Sequence, residues 1–234
     1  MAHADTSKLI VFDCDGVLVD SEILACGVQA RALTQYGLPL SGADVARRFL
    51  GMSARDMRTI LEADLGRPLP DDHEARCAAE LYDLFRRELQ PVQGIVDVAT
   101  ALRDAEHPRC VASSSSPERI ALALDVVGLR ELFRPHVFSS TMVARGKPAP
   151  DLFLYAADAM GFAPADCVVV EDSVNGVKAA RSAGMDVLGF LGGAHCPPDH
   201  HEHLRQAGAD RICHDALELA RALSELAGAR LRLP

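Results

Sequence analysis

The sequence predicts an α/β protein, a Rossmann-like parallel sheet with a helical bundle inserted after its first strand. Three observations predict it. Short apolar runs, Leu9 to Phe12, Arg109 to Ala112 and Cys167 to Val170, are separated by segments of helical periodicity, the pattern of βα units. Apart from Arg109 at the start of the second, the runs are apolar at consecutive rather than alternate positions, as strands covered on both faces are. Between the first two runs, residues 20–90 carry helical spacing and no strand signal, which reads as a small bundle. The expected organisation is core at 1–19, bundle at 20–90 and the rest of the core at 91–234. With 234 residues, 49% of them hydrophobic and 24% charged, the chain is long enough for a core plus an insertion.

Each element has its own signal. The first strand runs into Asp13-Cys14-Asp15, and Gly16 permits a tight turn. Ser21 is the expected N-cap of the next helix, with Leu24 and Val28 four apart and Gly37 as its stop. Val45, Phe49, Met52, Met57, Ile60, Leu61 and Leu65, a loop at Arg67-Pro68-Leu69-Pro70, and then Leu81, Leu84, Phe85 and Leu89 fill out the bundle. Gly94 opens a helix through Leu102. The strand at 109–112 runs into four serines, and Ser116 caps a helix with Pro117 in its first position and Gly128 past its end. His136 to Ser139 is a short strand, and Asp151 to Met160 a helix closed by Gly161. The strand at 167–170 ends in Glu171-Asp172, and Ser173 caps a helix running to Gly184. Strands at Asp186 to Leu191 and Ala209 to Cys213 and a helix at Ala216 to Leu226 complete the pattern.

A formal net charge of −9 argues against a nucleic-acid or membrane-surface partner, because both need a positive field. Seven cysteines, an odd number with no CxxC pair, fit reduced thiols better than a disulfide framework. Residues 1–8 hold no apolar targeting segment, and no later run approaches transmembrane length. The expectation is a cytoplasmic protein, monomer or homodimer, with a small-molecule substrate.

The chemistry gathers at strand ends. Two carboxylates delivered by a buried strand call for compensation, and a divalent cation supplies it, since hard cations take carboxylate and carbonyl oxygens. The alternative is an ordinary strand followed by an acidic solvated loop. In an extended stretch residues i and i+2 share a side, so Asp13 and Asp15 face one substrate. Ser113 and its neighbour Ser114 end the second strand where a helix begins, and offer hydroxyls and N–H groups to an anion. Lys147 stands between Gly146 and Pro148 in a chain with only Lys8, Lys147 and Lys178 against 21 arginines. A compact ammonium suits a phosphate. Taken singly, the serines read more simply as a helix cap and the lysine as a solvated turn residue.

Asp-Cys-Asp-Gly-Val-Leu-Val-Asp-Ser-Glu (13–22), the serine after the second strand, Gly-Lys-Pro-Ala-Pro-Asp (146–151) and Glu-Asp-Ser-Val-Asn-Gly (171–176) together resemble the four motifs of the haloacid dehalogenase superfamily, in the family's order. The insertion resembles the cap of the subgroup holding phosphoglycolate phosphatases, sugar-phosphate phosphatases and β-phosphoglucomutase. The resemblance implies that Asp13 attacks phosphorus to form an aspartyl-phosphate, and that Asp15 is the general acid and then the base. It implies Mg²⁺ held by Asp13, the backbone carbonyl of Asp15 and Asp172, with Glu171 nearby or acting through water. Ser113, Ser114 and Lys147 would hold the phosphoryl oxygens. In the cap, Glu22 and Arg55 resemble positions that line the cleft; the alternatives are a helix N-terminal acid and a solvated arginine.

Within the family, Asp15 disfavours dehalogenation, which needs no such acid. Phosphonate cleavage of the familiar kind uses a cap lysine, and none occurs between Asp20 and Gln90. A phosphomutase is the competing reading. The histidine that helps to control the acid/base in β-phosphoglucomutase is matched here by Ala25, which favours simple hydrolysis. The start of the chain looks nearest to bacterial phosphatases of sugar or sugar-acid phosphates, including 6-phosphogluconate. A non-catalytic phosphosugar-binding protein is the alternative from another class; it would have lost a catalytic residue, and all are present. The stretch His195 to His203 is rich in zinc-ligand types but has no second cluster of matching spacing, and reads as a surface loop leading into a short helix that borders the site mouth at most.

Overall fold

A computed structural model describes residues 7–49, 54–229 and 231, with the side chains of residues 54 and 55 outside the described set. Its strands are β1 (Leu9–Phe12), β2 (Arg109–Ser113), β3 (Val137–Ser139), β4 (Cys167–Glu171), β5 (Asp186–Phe190) and β6 (Arg211–Cys213). Its helices are α1 (Glu22–Gln35), α2 (Gly42–Phe49), α3 (Ala54–Leu65), α4 (His73–Glu88), α5 (Ile95–Asp104), α6 (Pro117–Val126), α7 (Arg130–Phe133), α8 (Asp151–Met160), α9 (Val174–Ser182), α10 (His200–Ala207) and α11 (Ala216–Leu226). The strands form one parallel sheet in the order β3-β2-β1-β4-β5-β6.

This order reverses direction at β1, and in such sheets ligands bind outside the carboxyl ends of the strands at that switch point. Register fixes what arrives there. Phe12 pairs with Val111 on β2 and with Val170 on β4, so the next residue along, Asp13, comes level with Glu171. All four residues of β1 are wholly buried, because each face of the sheet is covered. Leu9 and Val11 join Ala112, Val169 and Val187 in a core closed by Leu152, Phe153 and Ala156 of α8 and Val177 and Ala180 of α9. On the opposite side Phe12 meets Phe133 of α7 edge to face, with ring centroids 5.7 Å apart. Each such side chain contributes about 1.5–3 kcal/mol on burial.

Residues Ser21–Leu89 make a separate compact unit, and the remainder of the chain makes the other. The helical unit has its own core of Leu33, Val45, Phe49, Leu61 and Leu69. Arg58 of α3 ties that unit together by reaching Glu62, Glu74 and the carbonyls of Leu69 and Pro70.

Local departures from the sequence reading have local causes. Ser21 adopts a helical backbone (φ −86°, ψ −23°) rather than the extended conformation of a capping serine. Ser116 and Ser173 are extended and do cap, accepting from the N–H of Arg119 and Gly176. Strand β6 begins at Arg211 because Ala209 closes α10 instead, donating its N–H to Leu204 O past the left-handed Gly208. Strand β4 extends to Glu171, so that carboxylate leaves from the sheet itself. Among the described residues no helix is long and apolar enough to cross a membrane.

Candidate active site

The ends of β2, β1 and β4 lie side by side, and each delivers polar groups. Asp13 continues the ladder by donating its N–H to Val170 O at 3.0 Å. Lys147, with its side chain 4% exposed, donates to Asp13 Oδ1 at 2.6 Å, Glu171 Oε1 at 2.7 Å and Ala112 O at 3.0 Å. Its three donors are thereby used, and its ammonium lies 4.7 Å over the Phe153 ring. Burial pulls the Lys147 pKa down, but Asp13 and Glu171 more than offset this and leave it raised. Burial pushes Asp13 up; Lys147 opposes this, Glu171, Asp172 and Asp15 add to it, and the group stays well above the usual carboxylate range. Glu171 Oε2 accepts from the N–H and hydroxyl of Ser173 at 2.8 and 2.9 Å. A Cβ at Gly176 would come within 1.7 Å of Glu171 Oε1, so the first turn of α9 admits this carboxylate only because it carries glycine there.

Beyond Asp13 the chain closes on itself. Leu18 and Val19 both donate to Cys14 O, and Gly16 donates to Val19 O. This loop holds Asp15 with its Oδ2 2.6 Å from Ser115 Oγ and its Oδ1 2.7 Å from an Arg119 nitrogen. The serine that meets the acids is therefore Ser115. Ser113, also expected here, is buried at the end of β2 and accepts from the Ser115 N–H at 3.2 Å. Ser114 is exposed, and its carbonyl accepts from Ser140 Oγ. Sequence reasoning missed both Ser115 and Arg119. A signal for Arg119 existed: it is a cation in the first turn of α6, where the helix dipole favours acids.

Asp172 follows β4 and is 5% exposed. His195 Nε2 lies 2.9 Å from its Oδ2, and His200 Nε2 lies 2.5 Å from its backbone oxygen. The sequence reading of 195–203 as a surface loop is corrected at these two positions, since both rings are buried. Burial opposes charge on His195, but hydrogen bonds to Asp172 and Cys196 outweigh it and push the pKa up to about 11. Gly16, at φ +82°, makes room for the pair, because a Cβ there would lie 2.0 Å from Asp172 Oδ2 and 2.7 Å from His195 Cε1.

Asp13, Asp15, Glu171 and Asp172 thus share one end of the sheet, with Lys147 bonded to Asp13 and Glu171, Arg119 to Asp15 and His195 to Asp172. Asp13 Oδ2 and Asp172 Oδ1 have no donor among the described residues. Two carboxylate oxygens without donors, in a crowded acidic site, fit a hard divalent cation. Among the described residues no three Asp, Glu, His or Cys side chains surround a common point. Glu171 has both oxygens engaged, Oε1 by Lys147 and Oε2 by Ser173. Glu22 opens α1 of the helical unit, half-buried, and the Arg55 side chain lies outside the described residues, so the assembled site consists of α/β-unit residues alone.

The family model of haloacid dehalogenase-like hydrolases matches residues 7–184. The chain is 30% identical over 195 residues to 6-phosphogluconate phosphatase of Escherichia coli K12, covering 83% of this chain and 87% of that protein. It is similar to the solved structure of a haloacid dehalogenase-like protein from Agrobacterium tumefaciens, with TM-score 0.84, 38% identity and coverage of 94% and 99%. It is also similar to a hydrolase of Deinococcus radiodurans solved with bound phosphate and sodium, with TM-score 0.81, 32% identity and coverage of 97% and 99%.

Proposed function

This chain belongs to the haloacid dehalogenase-like hydrolase family and is a phosphoric monoester hydrolase, and we propose that it cleaves a small sugar or sugar-acid phosphate, with Mg²⁺, through an aspartyl-phosphate on Asp13. The observation that carries the reading is Lys147, one buried ammonium bonded to Asp13 and Glu171 beside Asp15 at the carboxyl end of a parallel sheet. Phosphoryl transfer is mostly positioning and electrostatics, and this arrangement supplies both.

Asp13 attacks phosphorus while the bond to the alcohol oxygen breaks, and Asp15 gives its proton to the departing oxygen. Asp15, now a carboxylate, takes a proton from water. The water oxygen attacks the aspartyl-phosphate, phosphate leaves and Asp13 is regenerated. Lys147 keeps the nucleophile oriented and, by giving up one of its three protein acceptors, would hold a non-bridging oxygen together with Ser113 and Ser114. Asp13, the Asp15 carbonyl and Asp172 would hold Mg²⁺, with Glu171 nearby or acting through water. When bound, the ion supplies positive charge that lessens repulsion between carboxylate and phosphate.

The helical unit, with Glu22 and Arg55, selects the alcohol. The name of the Escherichia coli relative supports a sugar-acid phosphate as the substrate class. Seven free cysteines, six of them buried, accord with a reducing cytoplasmic setting. The test is a Mg²⁺-supplemented screen of phosphorylated metabolites scored by kcat/KM. Hydrolysis of sugar or sugar-acid phosphates that EDTA abolishes is the expected result. Activity surviving excess EDTA would remove the metal from the account, and a preference for nucleotides would overturn the substrate class.

A further inference from the structure

We propose that His195 and His200 are positioning residues that fix Asp172 for the cation, a role resting on the reading of Asp172 as a cation ligand. Asp172 lies one residue past the end of β4, where the ladder no longer orients the chain. Two rings from a single segment do so instead. His195 bonds the carboxylate and His200 bonds the backbone oxygen, so side chain and main chain of one residue are held together.

The segment is built to hold those rings. The His200 N–H donates to Pro197 O at 3.0 Å and the Cys196 N–H to Gly193 O at 3.2 Å, which folds the stretch between the two histidines into consecutive turns around Pro197-Pro198. The His195 ring is wedged between glycines: a Cβ at Gly16 or at Gly193 would lie 2.7 Å from its Cε1. The Ala194 N–H donates to Asp20 Oδ1 at 3.1 Å, which ties the same loop to the segment that begins at Asp13. One loop therefore braces both stretches that carry the acids.

The ring's hydrogen bonding points the same way. His195 Nδ1 is buried with no partner among the described residues, while Nε2 faces Asp172 Oδ2 with Cys196 Sγ 3.5 Å away. Here the bond to Asp172 decides its orientation and leaves Asp172 Oδ1 without a protein donor. A carboxylate already held in place loses little freedom when a cation arrives, and partners of ligating carboxylates typically change metal affinity about 10–100-fold when removed.

The experiment titrates Mn²⁺ into the substrate-free protein, counts free ion by its EPR signal and uses Mg²⁺ as competitor. Wild type, His195→Ala, His195→Gln and His200→Ala are compared, with Asp172→Asn as control. The expected result is Mn²⁺ binding by wild type, affinity lowered about 10–100-fold in His195→Ala, and partial recovery in His195→Gln, whose amide N–H replaces the donor. In turnover, the Mg²⁺ concentration for half activity should rise in His195→Ala while substrate KM at saturating Mg²⁺ stays put. Wild-type affinity in a folded His195→Ala would overturn the proposal. So would failure of both His195 variants to fold, which would assign the ring to the fold alone. No binding by wild type would overturn instead the reading of Asp172 as a ligand, and the positioning role with it.

Discussion

The ion pairs of the helical unit and those at the strand ends of the α/β unit use the same chemical groups to different ends. In the helical unit Arg31 meets Glu80, Arg48 meets Asp64 and Arg58 meets Glu62 and Glu74, all with side chains between 27% and 52% exposed. At the strand ends Lys147 meets Asp13 and Glu171 with side chains at 10% exposure or less, and Arg119 meets Asp15 at 23% and 13%. Water screens the first set, so each pair adds little stability. The second set carries a desolvation cost that apolar residues of the same size would avoid, and removing one partner strands the other. Buried charges with shifted pKa values concentrate where chemistry needs them. The contrast separates pairs that decorate a surface from pairs that build a site.

The largest effect expected is from Asp13→Asn, a loss of kcat on the order of 10⁶-fold, as for removal of a covalent nucleophile. Asn keeps an oxygen that can accept from Lys147, which also retains Glu171 and Ala112 O, so the fold should survive the change. Asp15→Ala should lower kcat about 10²–10⁴-fold with the fold intact; full activity would remove Asp15 from acid/base work. Lys147→Met leaves two buried carboxylates without their cation and should cost about 3–5 kcal/mol in denaturant unfolding, besides activity. Arg58→Ala, at the other end of the comparison, should change melting slightly and kcat/KM hardly at all. A loss of activity there as large as in Lys147→Met would dissolve the distinction between the two sets.

Much of this was legible in the sequence, and the illegible part has physical reasons. β1, β2 and β4 announce themselves because strands buried on both faces are continuous apolar runs. Asp13, Lys147 and Glu171 could be placed together because each follows or ends a strand, or opens a loop, at the same edge. The choice among Ser113, Ser114 and Ser115 was not legible, since which hydroxyl turns to Asp15 depends on how the chain bends between β2 and α6. Arg119 and His195 lie 104 and 23 residues from Asp15 and Asp172, and only the sheet order brings them close. The Gly192-Gly193 pair just past β5 hints that something bulky needs room there, and the ring of His195 fills it beside Gly193.

The measurement that bears most directly on the central claim uses Asp15→Ala. Without the base, an aspartyl-phosphate should form but fail to hydrolyse. Acetyl phosphate, whose leaving group needs no proton, is the donor, and borohydride trapping with peptide mass mapping locates the acyl phosphate. One phosphoryl group on Asp13, absent from the Asp13→Asn, Asp15→Ala double variant, is the predicted result. A phosphoryl group on any other residue, or none while the variant still releases phosphate, would contradict it.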